Sequence, residues 1–492
     1  MQNRKDSPPG PRTSKEDGTS FSSPTACAAF ELAPTSIGTS STIPPLLKRS
    51  SAFLLVPTHT HTLRANFVWN AVGITVFSLS QWGILAAFAK LGTPALVGQI
   101  VYGLALTTPL FVVASLQLRQ IQATDSENRH RLSQYLGLKL LATSAAIIVA
   151  LLMAGIAWTS GAQLSMIVVL WALSKTFDAG SDALYGLFQQ SERMDYVGLS
   201  YILRGVLAFA SVVVLLRASH SALIALAGIA VSWCAVFILF DIPMARLLIH
   251  NRKRSTRSLN TSSESLRPVL DRRQLVSLFL ESAPLGVVAF LFAVQAQIPR
   301  YVIAGLLHTR ELGLFSAAAY LTFVGTTLVN ALGAPASVRL AQYYVAGARS
   351  SFRQLMTKLL LVASALGTAS ILVSLFAGSR ILTLLYTNEY SQMASVLTML
   401  CASSALSYIA SFFGYGMTSL RRYKIQVPVF VAVVLITLVS CYWLTGRYGM
   451  MGTAAGILVG NLGQLLMSAA VVLRAKWPDR DLLRADLRIS TT

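Results

Sequence analysis

The sequence predicts an all-α integral membrane protein of twelve transmembrane helices. Three observations carry that prediction. Hydrophobic residues fill 54% of the 492 positions and charged residues 12%, with a mean hydropathy of +0.60; a soluble domain is ~25% charged. From residue 67 onward, apolar runs follow one another almost without pause. Each is close to the ~20 residues needed to cross ~30 Å of hydrocarbon. Basic residues also collect in alternate connections, as topology demands. Together these exclude an ordinary soluble protein, a coiled coil and a disordered chain. The runs are helices because a backbone in lipid must satisfy its own hydrogen bonds, and barrel strands would alternate in polarity.

Residues 1–65 come before the first run. They are rich in Ser, Thr and Pro, and their longest apolar stretch, 52–56, is shorter than a signal-peptide core of ~7–15 residues. We read them as a disordered cytoplasmic tail, or as upstream sequence before a true start near Val56 or Leu63; peptides from residues 1–50 in a mass spectrum would exclude the second reading. His59 and His61 are tail residues with no expected metal role, and no metal site is expected elsewhere. The first span, 67–89, opens with Asn66 and Asn70 one turn apart and contains Gln81-Trp82. The next five are 95–115, 137–158, 164–188, 198–216 and 221–245. A basic linker, 249–274, separates the half 66–248 from the half 275–474. The second half holds spans at 275–298, 312–334, 355–377, 394–417, 425–444 and 452–474, and a cytoplasmic tail, 475–492, follows. An equal split of this kind is expected of an internal repeat, although the halves share little beyond Val97-Gly98 and Leu312-Gly313.

Charge placement orients the spans. Of the 40 Lys and Arg, 31 fall in the tails and in the connections after even-numbered spans, and six fall on the opposite side. The basic side is cytoplasmic, so both termini lie inside. Topology thus accounts for the net charge of +21, which argues against nucleic acid as a partner. The outer connections are too short to hide a catalytic domain.

Ionisable residues within spans are functional candidates by default. In the fourth span, Lys175, Asp178 and Asp182 form one helical stripe that Gln189 continues. Arg204 lies in the fifth span, at the depth of Asp182. Two readings stay open: a neutral lattice of Lys175–Asp178 and Asp182–Arg204 that joins helices, or a polar wall that meets an anionic substrate or a coupling cation. The seventh span carries Glu281, then Pro284, which favours a kink, and ends near Arg300. Glu281 at a kink suits a moving part; the plainer reading is a static kink with Glu281 snorkelling or paired to Arg272 or Arg273. Lys139 and Asp241 read as ordinary interfacial residues.

Enzyme signatures are absent: no Walker A loop, no His-Glu-x-x-His and no Gly-x-Ser-x-Gly elbow. The cysteines, Cys27, Cys234, Cys401 and Cys441, are too scattered for a disulfide framework or a zinc site.

Several stretches carry a resemblance. Gln81 through Lys90 to Gly98, Pro109 through Arg119 to Asp125, Glu311-Leu-Gly-Leu-Phe-Ser-Ala-Ala-Ala-Tyr320, Asn388-Glu389-Tyr390 and Tyr448-Gly-Met-Met-Gly452 resemble, in order and placement, the bacterial polysaccharide and O-antigen flippases of the MOP superfamily, which includes the MATE transporters. The resemblance covers 67–474. It implies two six-helix lobes around a central cavity, related by a pseudo-twofold axis along the membrane normal. It also implies transport of a lipid-linked oligosaccharide, commonly on undecaprenyl diphosphate, across a bacterial inner membrane by alternating access. No cofactor is implied beyond a proton or sodium gradient. A polysaccharide polymerase and glycosyltransferases are further expected partners. On this reading Lys175, Arg204 and Arg300 meet the anionic head group, Asp178, Asp182 and Glu281 bind a coupling ion, and Pro284 is a gating kink. The competing readings are a cation-coupled drug exporter of the same superfamily, a membrane glycan polymerase or acyltransferase, and a membrane scaffold.

Overall fold

The computed structural model describes residues 63–125, 129–159, 161–255, 265–420, 423–475 and 477. Nearly all of the expected N-terminal tail, with its two histidines, lies outside these residues, as do residues 256–264 of the basic linker and most of the C-terminal tail. Among the described residues every regular element is a helix. In chain order these are α1 (Leu63–Leu91), α2 (Pro94–Ser115), α3 (Leu118–Thr124), α4 (Leu132–Trp158), α5 (Ala162–Gln190), α6 (Met194–Ser219), α7 (Ala222–Val236) and α8 (Ile242–Ser255), the last two joined by a π turn at Phe237–Asp241. The second half holds α9 (Arg272–Leu306), α10 (Thr309–Leu321), α11 (Phe323–Val345), α12 (Arg349–Leu385), a 3-10 turn at Asn388–Met393, α13 (Ala394–Ser419) and α14 (Tyr423–Leu473).

Among the described residues, ten helical stretches are long and apolar enough to cross a membrane. The protein is therefore a multi-pass membrane protein. Two departures from the expected spans have physical causes. α5 is as long as α1, but Lys175, Asp178 and Asp182 lower its hydropathy and keep it out of those ten. α14 runs for 51 residues and turns at Gly449, where φ is 59°. The Thr445 and Thr453 hydroxyls lie 2.7 Å apart, Ser440 donates to the Gly456 carbonyl at 3.0 Å, and Gly460 lies against Thr437. Each pair is centred at or within one residue of 449, so α14 is a hairpin with one expected span in each arm. Only a residue without Cβ takes that φ freely.

The two ends of the bundle differ. At the end with short turns the halves are pinned together. There α2 crosses α10 so closely that a Cβ on Gly98 would lie 1.7 Å from the Thr309 carbonyl oxygen. A Cβ on Gly313 would lie 1.8 Å from that of Pro94. Each carbonyl belongs to the residue four before the opposite glycine, so the crossing has local twofold symmetry. Small residues permit such close packing of membrane helices. Nearby, Trp82 on α1 donates to the Tyr386 hydroxyl at 3.1 Å, and that hydroxyl donates to the Ala317 carbonyl at 3.0 Å. The largest buried cluster is centred here, with Phe88, Val97, Leu312, Phe315 and Tyr390.

The long helix α9 then lines one seam. Tyr301 donates to the Ala105 carbonyl at 2.6 Å, Gly286 packs on Leu116, and the segment before α9 donates from Val269 to the Ser133 carbonyl at 3.0 Å. On the other seam α1 meets the second half chiefly at α10. Pro284 lies within α9, which continues past it as helix.

Candidate functional site

The site begins where α2 stops. Leu116 and Gln117 both take left-handed backbone, with φ of 47° and 52°. That is uncommon for residues with side chains and costs of order 1–2 kcal/mol each. The turn sends the chain back as α3, which packs against α5 where Gly186 leaves room for Gln122. The sequence reading expected a loop from 116 to 136. The short helix lifts Arg119 from that supposed loop into the wall of a cavity.

The cavity has a volume of about 450 Å³ and is lined by α2, α3, α4, α5 and α6. Thr108, Phe111 and Ser115 contribute from α2, and Tyr185 and Tyr201 from α5 and α6. Its wall carries three cations, Arg119, Lys139 and Lys175, against two carboxylates, Asp178 and Asp182. Arg204 stands behind Asp178, wholly shielded at 0% exposure.

The pairing differs from the sequence expectation. Lys175 does lie near Asp178, at 3.8 Å. The partner of Asp182 is Lys139, at 2.7 Å, with Arg119 at 3.9 Å, and not Arg204. Arg204 instead binds Asp178 at 2.5 Å through Nη2 and donates from Nη1 to the Tyr185 hydroxyl at 3.3 Å. Its guanidinium also lies over the Trp233 ring, 4.6 Å from the centroid. The reason is helical phase. Asp178 and Asp182 share a stripe but sit a turn apart, and α6 presents Arg204 to the upper one. Lys139, read as interfacial, is buried and reaches the lower one. A buried guanidinium needs such partners, because a lone buried charge is strongly unfavourable. Lys175, with its weaker contact, is the cation in the wall least committed to a partner.

Arg119 is braced by neutral groups. It donates to the Tyr201 hydroxyl at 3.1 Å and to Gln189 at 3.3 Å, and lies over the Tyr185 ring at 5.3 Å. Gln189, the end of the sequence stripe, thus reaches the cavity.

The other candidates lie elsewhere. Glu281 is 3.1 Å from His130 on the segment before α4, so of the two plainer alternatives the pairing with Arg272 or Arg273 is not the one seen. His130 is held by Asp125, whose carboxylate accepts the His130 and Arg129 backbone N–H groups at 3.1 and 3.0 Å. Burial pushes the Asp125 carboxyl up, but these N–H groups and the Tyr135 hydroxyl outweigh it and hold it below its usual range. Arg300 donates to Gln297 on its own helix and lies near the Tyr320 ring. Neither Glu281 nor Arg300 lines the cavity. Asp241, also read as interfacial, is fully buried and accepts from Ser181 at 2.6 Å.

Comparison with known folds places this arrangement. An inward-facing multidrug-resistance MATE transporter of the MOP superfamily superposes with a TM-score of 0.58 at 14% identity, over 84% of this chain and 94% of that one. The fold is that of the MOP-superfamily transporters. The MATE transporter VcmN of Vibrio cholerae matches the same fold at 0.56 and 15% identity, covering 86% and 96% of the two chains. A third MOP transporter, from Pyrococcus furiosus and described as having a binding pocket of reversed polarity, also gives 0.56 at 14% identity, over 83% and 93%. Among curated proteins, the capsular polysaccharide biosynthesis protein CapF of Staphylococcus aureus is 24% identical over 403 residues, spanning 82% of this chain and 97% of that protein. No family model matches the sequence. Within the MOP fold, the charged cavity described above belongs wholly to the first half.

Proposed function

We propose that the protein flips a lipid-linked oligosaccharide, carried on an isoprenoid diphosphate such as undecaprenyl diphosphate, from the inner to the outer leaflet of a bacterial inner membrane. The observation that carries this reading is the excess of positive charge in the cavity. Arg119, Lys139, Lys175 and the shielded Arg204 outnumber Asp178 and Asp182. A diphosphate-bearing sugar head cannot cross hydrocarbon unaided, and a wet cavity of fixed positive charge lowers that barrier. The carboxylates keep the charge modest, so that release remains possible.

In this reading the basic end of the bundle is cytoplasmic, with both termini inside. The cavity reaches that end through α3, and the pinned turn end faces outward. The halves act as two lobes that rock about their seam by alternating access, with Pro284 as a place for α9 to bend. Lys175 and Arg119 are the head-group contacts, and Arg204 acts through Asp178. Arg300 is a contact only if the sugar reaches across to the second half. Asp178, Asp182 and Glu281 are candidates for the coupling ion, a proton or sodium. The protein performs no covalent chemistry of its own and works beside glycosyltransferases and a polymerase. The name of the CapF relative supports a place in surface-polysaccharide biosynthesis.

The test is gene deletion, extraction of lipid-linked glycans and staining of surface polysaccharide. Lipid-linked oligosaccharide should accumulate while surface polymer is lost. The Lys175→Ala, Arg119→Ala double variant, inserted normally, should lower export at least tenfold. Normal surface glycan and lipid intermediates in a strain without a redundant flippase would overturn the reading. Export of cationic drugs by the same strain would then favour the multidrug alternative, which the MATE neighbours also support.

A further inference from the structure

Behind the cavity wall, the first half buries a carboxylate that the cavity does not use. Asp241 closes the π turn between α7 and α8 and is 0% exposed. Ser181 on α5 donates to its Oδ2 at 2.6 Å, and its Oδ1 is buried with no partner. The groups that act on it come from both packed helices: Ser181 and Tyr185 on α5, Ser200 and Arg204 on α6. Arg204 is the charged one. Its Nη2 holds Asp178 and its Nη1 holds Tyr185, while its Nε is buried and also unpartnered. An unpaired buried carboxylate oxygen and an unpaired buried guanidinium N–H thus belong to one cluster. An ionised carboxylate half without partners in such a place is strongly disfavoured, and a proton relieves the cost.

The π turn explains why the carboxylate is there. One extra residue per turn shifts the helical phase, and such turns often mark functional positions. Phe237 fills the space over Gly180, and Asp241 turns inward to Ser181.

We propose that Asp241 is a proton-binding site whose occupancy sets the anion affinity of the cavity through Arg204. The proton sits on Oδ1. With Asp241 neutral, the charge of Arg204 is offset by Asp178 alone, and the cavity wall stays net positive. Loss of the proton puts a negative charge in the same cluster, within electrostatic reach of Arg204. The positive field at the cavity then falls. Protonation therefore tightens anion binding, and a bound anion raises the proton affinity of Asp241 by the same factor. The anion half of this inference rests on the reading of the cavity given above; the proton half does not.

The test uses the full-length protein in lipid vesicles and two readouts. Infrared difference spectra taken from about pH 5 to about pH 9 should show the carbonyl band of a protonated carboxyl group. Asp241→Asn should remove the band, Asp178→Asn should keep it, and Ser181→Ala should shift it to higher frequency by removing its hydrogen bond. Ser181→Ala also serves if Asp241→Asn does not fold. Binding of a soluble short-chain prenyl diphosphate should be on the order of fivefold to tenfold tighter at the acid end of that range. Asp241→Asn should hold it at the tight limit at every pH. Absence of the band, or its persistence in Asp241→Asn, overturns the proton site. An unchanged pH dependence of binding in Asp241→Asn overturns the link to the anion. A wild-type protein that never binds the probe while its band still follows Asp241 overturns the anion reading and leaves the proton site standing.

Discussion

The two halves place polar groups inside the bundle in different ways. The first gathers Lys139, Lys175, Arg204, Asp178 and Asp182 on neighbouring helices, with Arg119 from α3 beneath them. The corresponding interior of the second half is tied by neutral groups. Asn461 donates to the Ser403 carbonyl and hydroxyl at 3.1 and 3.0 Å, Tyr408 donates to the Thr322 carbonyl at 3.0 Å, and Gln295 donates to Gln464 at 3.4 Å. Neutral contacts between membrane helices contribute about 0.6 kcal/mol each. Charges are far more costly to strand. Among the described residues, the charged cavity thus belongs to the first half, while these contacts of the second half are neutral.

That comparison breaks most readily at Asp178. Asp178→Leu leaves Arg204 buried with a tyrosine hydroxyl as its remaining hydrogen-bond partner, and should cost about 3 kcal/mol or more; thermal unfolding in detergent measures it. An equal loss for Asn461→Leu in the second half would contradict the contrast. Next comes a feature the halves share. Gly98→Ala and Gly313→Ala each force a Cβ into a carbonyl oxygen, and each should cost about 1–3 kcal/mol and loosen the turn end. Labelling of cysteines placed near Trp82 and Tyr386 should rise in both variants. A clear difference between the two would show that the crossing is not functionally symmetric. Asn461→Ala should cost about 1 kcal/mol and leave the charge of the cavity unchanged. Glu281→Gln should matter least, within about 0.5 kcal/mol, because Glu281 itself is about half exposed beside His130. A larger effect would move Glu281 into the transport cycle.

The apolar spans and the charged stripe of α5 were legible because hydrophobicity and helical phase are local properties. Lys175 and Asp178 were found for that reason. The pairing was not, since phase on one helix does not say which partner a neighbouring helix presents. Arg204 was matched to Asp182 by depth alone, and rotation of α6 gives it to Asp178. Arg119 was missed because a basic residue after an even span reads as a topology signal. The only sign was the interruption after Ser115, and its left-handed backbone at Leu116 and Gln117 has no clear sequence mark. Lys139 sits three residues into its span, where snorkelling to the interface is the usual outcome, but Asp182 draws it inward. Asp241 was hidden by the π turn, whose extra residue defeats a 3.6-residue count.

The crossing of α2 and α10 has a consequence for what can pass between them. Gly98 and Gly313 meet carbonyl groups, so the tightest part of the turn end is bare main chain from both sides. If the halves part there, a passing molecule meets peptide groups, the same on its left as on its right, with little side-chain relief to recognise it. Such a threshold gauges girth more than chemistry. Discrimination among cargoes then falls to the charged chamber lined by Arg119, Lys139 and Lys175.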